Sequence, residues 1–440
     1  MRVAWFSPMP PSRSGIAAYS AEVLPLLGAR GIGADVYADT NAHDFVWKHR
    51  RDPYDLTVFQ LGNASCHDYI WAYLFRYPGL VVLHDAQLHQ ARALALTKRW
   101  VPRRDDYLAE FRANHPDAPP SVGEVVAAGF GGSLYVHWPH IRLVVQSARL
   151  TLVHNERLLG DLREKYPHAR FDAIAMGVAD PLEPPRAADA IADIRARAGI
   201  PPDALVVAAF GGITPEKRIG PLLTALSTLS ARHPRLHLLL VGAAVDHYDV
   251  ITDATRWAVK DRVHVTGYVP DAHLPDYLLA ADVCACLRWP TNRETSASWL
   301  RCLAAGRPTL VSGLSDLVDV PTLDPRGWAL LDTSPMPRPP VAVSIDVVDE
   351  PHSLRMALDR LLTDEGLRRE LGVSARAWWA SHHQLSMMAE GYVAAIARAA
   401  ATMAPRVTLP AHLRDDGSTQ GRELAAALGV GDRLGDVFPG

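Results

Sequence analysis

Cysteine is the residue this chain holds least of: four in 440 residues, Cys66, Cys284, Cys286 and Cys302. They make neither a CxxC pair nor the Cys/His spacing of a zinc site, so the thiol content predicts a reduced, cytoplasmic protein. An excess of charge of one sign is also missing. A formal net charge of −3 over this length supplies no global field for nucleic acid, and no nucleic-acid partner is expected. No apolar segment approaches the about twenty residues that span a bilayer. The apolar run 3–6, directly after Met1 and Arg2, is too short and too early for a signal peptide. The expectation is a soluble protein, attached at most to a membrane surface.

What is present is the balance of a globular protein, 48% apolar and 21% charged, in a chain longer than one core usually organises. Short β-branched or apolar runs alternate with longer segments of helical period, the sign of βαβ units and parallel sheets. Strands are expected at 3–6, 34–37, 56–61, 80–83, 150–154 and 172–176. Helical patterns fill most gaps, as at 16–29, where Ile16, Tyr19, Val23, Leu26 and Leu27 return to one face. The stretch ADPLEPPRAAD, 179–189, suits a linker because proline and charge disfavour regular structure. The alternation then restarts, with strands at 205–210, 237–241, 263–266, 282–287 and 309–311 and helices such as 221–232 and 298–305. The fold class is therefore α/β, with Rossmann-like domains at 1–182 and 190–375. Region 94–141 breaks the rhythm and reads as a helical insertion in the first domain. SPMPRPP, 334–340, is a second connector; residues from 351 to about 401 read as long helices, and the polar tail 405–440 is expected to be poorly ordered.

In open parallel sheets, ligands bind beyond the carboxyl ends of strands. After the first strand comes SPMPPSRSGIAAYS, which is not GxGxxG. Gly15, just before a helix, would let backbone N–H groups approach an anion, or be an ordinary turn glycine. LVVLHDAQLH places His84 and Asp85 at a strand end and His89 about one turn later; the pair could act on substrate hydroxyls or cap the next helix. No third ligand at characteristic spacing supports a metal on His84 and His89. In FGGITPEKRIG, Gly211 and Gly212 permit a tight turn, and Lys217 and Arg218 near a helix start could hold a diphosphate. A purely structural pair of cations there would oppose the helix dipole. In WPTNRETSASWLRCLAAGRPTLVS, Arg293 and Glu294 precede a helix start rich in Ser and Thr, Thr295 and Ser296 included. Glu294 can accept bonds from sugar hydroxyls while nearby N–H groups receive phosphate oxygens, or can simply cap the helix. Cys284 and Cys286 alternate with apolar neighbours and read as core.

At FGGITPEKRI and RETSASWLRCLAAGRPTLVS, with SGIAAYS and VLHDAQLH, the sequence resembles glycosyltransferase family 4, enzymes of GT-B architecture, to about residue 400. The resemblance implies two facing Rossmann domains, with a helix at 376–404 crossing back to the first. It implies a retaining hexosyltransferase that uses a nucleotide-sugar donor and a glycan, lipid-linked or small-molecule acceptor, with no cofactor and no obligatory metal. Polysaccharide, glycolipid and small-molecule glycosylation fit it equally. By this match Lys217 is the donor-phosphate lysine of a G-R-L-x-x-E-K motif. Gly212 stands where its arginine is usual, and Arg218 or Arg293 is the candidate substitute. Glu294 matches the first acid of E-x7-E, near the donor sugar. The second, expected on the ribose, falls on Cys302, and a thiol cannot bridge two hydroxyls as a carboxylate does. His84 matches the first-domain histidine beside the transferred sugar, and Gly15 the glycine that approaches phosphates or acceptor; Asp85 and His89 belong with acceptor or sugar.

Two other readings use the same pocket. A nucleotide-sugar 2-epimerase would need no acceptor; the helical insertion and the lack of an extra acid/base pair count against it. A non-catalytic nucleotide- or glycan-binding protein draws support from Cys302 and Gly212, against the retention of His84, Lys217 and Glu294. Arg92, Lys98, Arg99, Arg103 and Arg104 around Trp100 and Val101 could rest on anionic lipid as a peripheral contact, or form a solvated helix end with Asp105 and Asp106.

Overall fold

The computed structural model describes every residue except 99–101, 186–187, 315–316, 318, 416–417 and 431–440. Six strands, β1 (Arg2–Phe6), β2 (Gly33–Tyr37), β3 (Leu56–Leu61), β4 (Leu80–Leu83), β5 (Leu150–Val153) and β6 (Phe171–Ala173), form one parallel sheet in the order β2-β1-β3-β4-β5-β6. Every residue of β3, β4 and β5 is buried, as a sheet covered by helices on both faces requires. The second sheet contains β7 (Leu205–Phe210), β8 (Leu236–Val241), β9 (Val263–Val265), β10 (Val283–Cys286), β11 (Thr309–Ser312), β12 (Thr322–Asp324), β13 (Ala329–Leu331) and β14 (Ala342–Ile345). Its order is β13-β12-β14-β11-β10-β7-β8-β9, parallel throughout except for β12 against β13. The winding reverses at β7, between β8 on one side and β10 on the other, so the loops after β7 and β10 diverge and leave a crevice.

Every strand expected from the sequence is present. β6 stops at Ala173, three residues early, because the next carbonyls turn to histidine side chains instead of a neighbouring strand. Three strands were not expected: β12 and β13 are three residues each and separated by a turn that holds Pro325 and Gly327, while β14 follows the proline-rich connector.

The return to the first domain differs in position from the expected 376. That residue lies inside the helix Glu365–His382, and the chain breaks at His383 and Gln384 before the helix Leu385–Ala401. This last helix packs on the first, Gly15–Gly28: Tyr392 Oη meets Tyr19 Oη at 2.7 Å, and the Tyr392 ring lies 5.5 Å from that of Trp5. One apolar cluster therefore runs from Trp5 and Tyr19 through Tyr392 and Met388 to Trp379, Leu300 and Leu303 beside the second sheet.

The helical insertion holds His89–Thr97, Arg104–Asn114, Pro120–Ala127 and Leu134–His137, with Tyr107, Phe111 and Leu96 in a small core of its own. Its centre is an ion pair: the Arg92 guanidinium bonds Glu110 through Nε at 2.8 Å and lies 4.4 Å from the Trp71 ring, both charged groups being buried. Arg92 therefore faces inward, whereas Arg103 and Arg104 stay half-exposed in ion pairs with Asp106 and Glu124, and Lys98 is exposed. Arg99, Trp100 and Val101 lie outside the described residues. Among the described residues no helix is long and apolar enough to cross a membrane. The start of the tail is not loose: Leu409 and Leu413 pack on the first domain, and His412 Nε2 lies 2.8 Å from Glu110 Oε1. The tail's last ten residues, 431–440, lie outside the described residues.

Glu110→Ala would leave the Arg92 charge buried and unpaired, a loss of roughly 3–5 kcal/mol. Urea denaturation followed by tryptophan fluorescence should show the midpoint falling accordingly.

Candidate functional site

Loops from both sheets converge on one cleft with two lobes. The first is a cavity of about 130 Å³ lined by His154, Lys217, Arg288, Glu294, Thr295, Ser296 and His383, with Leu287, Trp299 and Val311 as an apolar wall. The second, about 310 Å³, is lined by Arg13, Gly15, Gly211, Gly212, Gly242, Tyr268 and Arg301 among others. Phe210 and Ser298 border both, so the lobes meet at the carboxyl end of β7 and the start of the helix Ala297–Ala304.

The wall at β7 is built on glycine. Gly211 has φ 87°, in the left-handed region, and a Cβ there would lie 2.6 Å from Lys217 Nζ. Behind it Gly242 presses so close that a Cβ would stand 2.1 Å from the Gly211 carbonyl oxygen. Lys217 folds back and donates from Nζ to the Phe210 carbonyl, which places the ammonium at the lobe border. Burial, with Arg288 adding to it, pushes this lysine down to about 8. Arg218 turns away: its Nε is 2.9 Å from Glu350 Oε1, and it lines neither lobe. Arg293, with φ 61°, reaches across to Asp161 of the first domain at 2.7 Å and also lines neither lobe. Neither expected substitute cation is therefore aimed at the lobe border, because each charge is already held by a distant carboxylate.

At the end of β10 the Glu294 carboxylate is fixed from three sides, by Arg288 Nε at 2.7 Å, Thr291 Oγ1 at 3.0 Å and the Asn292 N–H at 2.9 Å. Ser296 caps the following helix by accepting from the Trp299 N–H at 3.2 Å. Cys302, on that helix, does not face the cleft. It is fully buried with its Sγ 3.8 Å from that of Cys286, and burial pushes the thiol well up. At about 100° per residue, Ser298 and Arg301 share the cleft face while Cys302 turns to the sheet. Arg301 donates from Nη2 to Glu22 at 2.9 Å and stands where the ribose acid was expected.

In the first domain Gly15 opens the first helix and lines the second lobe, with Ser14 Oγ accepting from the Ile16 N–H at 3.2 Å. His84 is withdrawn: it is buried, its Nε2 is 2.8 Å from Gln60 Oε1, the Tyr19 ring packs edge-on against it, and it lines neither lobe. Its neighbour Asp85 does reach the other domain's loop. Burial and then Glu294 push its carboxyl up to about 7, and the adjacent Ala86 N–H donates to the Asn292 carbonyl at 2.8 Å. His89 belongs to the core of the insertion, fully buried with Nε2 2.8 Å from Tyr107 Oη, because the helix it opens lies beneath Arg104–Asn114.

Sequence reasoning missed His154, Arg288, Arg301 and His383. His154 carries the same signal as His84, a histidine ending an apolar strand, LTLVH beside LVVLH. Arg288 ends the DVCACLR strand, but His383 sits in no local motif. Across the second lobe the Arg13 guanidinium lies 4.5 Å from the centre of the Tyr268 ring, a frame for a planar group. The helix start at Ala297, the glycine turn and Lys217 offer N–H groups and charge to an anion between the lobes. The first lobe offers hydroxyls, a carboxylate and imidazoles to a polyol.

Glu294→Gln removes the negative neighbour of Asp85, so the Asp85 pKa should fall from about 7 toward the ordinary carboxylate range. Carboxyl ¹³C NMR titration of both proteins checks this.

Residues 204–328 match the family model of glycosyl transferases group 1. No curated protein matches the chain. Among solved structures, sucrose-phosphate synthase from Thermosynechococcus elongatus is similar with a TM-score of 0.62 and 15% identity, over 90% of this chain and 98% of that one. HepE from Anabaena, solved with UDP and glucose, gives 0.60 and 14% over 90% and 99%. WaaG, a glycosyltransferase involved in lipopolysaccharide biosynthesis, gives 0.59 and 15% over 90% and 99%. At these identities the likeness is one of fold, and the fold is that of GT-B glycosyltransferases.

Proposed function

We propose that the protein is a retaining glycosyltransferase that moves a hexose from a nucleoside-diphosphate sugar to a glycan, lipid-linked or small-molecule acceptor in the cytoplasm. The observation that carries the reading is the two-lobed cleft, with Lys217, a glycine turn and two helix starts around the border between a planar-group lobe and a polyol lobe. The matched family segment, 204–328, contains both Lys217 and Glu294. HepE, similar in fold, was solved with UDP-glucose, which agrees with a donor of this class.

In this reading the base lies in the second lobe by Arg13 and Tyr268. The diphosphate meets the N–H groups of Gly15, Gly211, Gly212 and the helix start at Ala297, with Lys217 beside them. The hexose lies in the first lobe against Glu294, Thr295 and Ser296, and Arg288 orients that carboxylate and adds a second positive group. As the bond from the anomeric carbon to the phosphate oxygen breaks, these groups and helix dipoles stabilise the leaving diphosphate. The acceptor oxygen bonds to the same face of that carbon, and its proton passes to the departing phosphate oxygen. Lys217 and the helix ends meet the leaving charge, and the scheme assigns no step to a metal or cofactor. The acceptor enters from the first-domain side, past Asp85.

A second reading, donor binding without transfer, is favoured by Arg301 standing where a ribose carboxylate was expected. Donor turnover with and without acceptors separates the two.

A panel of UDP-, GDP- and ADP-sugars should contain one that raises the melting temperature by mass action. Lys217→Ala and Glu294→Ala should each weaken that binding roughly 10- to 100-fold, about 1.4–2.8 kcal/mol. Since burial holds Lys217 down at about 8 and a diphosphate favours its cation, binding at pH 8.5 should take up protons and affinity should fall as pH rises through 8. Titration calorimetry in two buffers of different ionisation enthalpy measures the uptake; none would remove Lys217 from the phosphate site.

A further inference from the structure

The first lobe holds two imidazoles that the donor scheme has not used. His154 follows β5 in the first domain, and His383 lies in the break between the last two long helices. His154 Nδ1 lies 3.1 Å from the Ile174 carbonyl oxygen, and His383 Nδ1 lies 2.9 Å from that of Met176. These carbonyls are two residues apart on the extended segment beyond β6, so they follow the period of a strand edge. The segment is held close to His383: the Val178 N–H donates to the His383 carbonyl at 3.0 Å, and a Cβ on Gly177 would stand 2.5 Å from the Gln384 carbonyl oxygen.

A carbonyl only accepts, so each Nδ1 carries the proton and each Nε2 presents a bare lone pair. Burial holds both rings down to about 4, so both are neutral in ordinary buffers. His154 is 5% exposed, borders the cavity, and its Nε2 has no hydrogen-bond partner among the described residues. Buried polar atoms of this kind call for a partner. Two rings with their tautomers fixed by the main chain line one small cavity, and the unpartnered Nε2 of His154 calls for a donor there. A hydroxyl satisfies that demand. A carboxylate does not, because it would set lone pairs against lone pairs or force a proton onto a buried ring.

Resting on the nucleotide-sugar reading above, we propose that the Nε2 atoms of His154 and His383 accept hydrogen bonds from two hydroxyls of the donor's sugar, selecting a neutral hydroxylated sugar over a uronate. The two residues are specificity determinants for the sugar half, and the nucleotide half does not touch them.

The test compares UDP, GDP and ADP with UDP-glucose, GDP-mannose and ADP-glucose by titration calorimetry on the wild type, His154→Phe, His383→Phe and His154→Gln. The Phe variants keep a ring without the acceptor, whereas Gln restores an acceptor. The ratio of diphosphate Kd to sugar-donor Kd should fall roughly three- to tenfold in each Phe variant, the loss expected for one hydrogen bond. The diphosphate Kd should stay within about twofold, and Gln should recover part of the ratio. On the wild type alone, ¹⁵N NMR of the histidines should show both rings protonated at Nδ1, with the Nε2 signals shifting on addition of sugar donor and not of diphosphate. An unchanged ratio in both Phe variants, or Nε2 signals that ignore the sugar, overturns this inference and leaves nucleotide binding standing. Failure of the wild type to bind any of the three diphosphates overturns the nucleotide reading itself, and the sugar assignment with it.

Discussion

The architecture depends on the return of the helix Leu385–Ala401 to the first domain. Parallel strands must be joined by crossovers, so each sheet gathers its ligand loops on one edge, but nothing in that rule makes two such edges face each other. The contact of Tyr392 with Tyr19 and Trp5 does so, extending one apolar cluster across both sheets. The bond from Arg293 to Asp161 and that from Ala86 to Asn292 cross the same gap. With the edges held opposite, the Lys217 turn, the Glu294 loop and the end of β5 border one cavity.

The architecture was legible because its signals are local. Buried parallel strands write themselves as short apolar runs, and the gaps between them keep a helical period. Where the reading failed, the deciding partner was far along the chain. LVVLH and LTLVH are equivalent as text. Tyr19 packs on both rings, but Gln60 bonds the Nε2 of His84, while His154 borders the cavity that His383 also lines. Arg218 and Arg293 read as free cations beside a helix start, yet Glu350 and Asp161, each 132 positions distant, hold them. The motif match put the ribose position on Cys302, but on the helix that starts at Ala297 it is Arg301 that takes the cleft face.

Charge is distributed in the same economical way. Of the arginines around the cleft, Arg218, Arg293 and Arg301 each lie on a carboxylate, and Arg288 lies on Glu294. Among the described residues Lys217 donates only to a carbonyl, and it is half-buried, so an anion there meets a cation that has already lost part of its water. Such a site gains more from each hydrogen bond than an exposed one.

The break at His383 and Gln384 carries a further meaning. The chain passes from the first sheet to the second along the segment after β6 and comes back at this break, so a rotation of one sheet against the other must be absorbed in these two connections. His383 thus stands at one of the two connections between the sheets and is part of the cleft wall. A ligand that bound one arrangement of this connection more tightly than another would shift the balance between them, and by reciprocity the arrangement would alter how firmly the ligand is held.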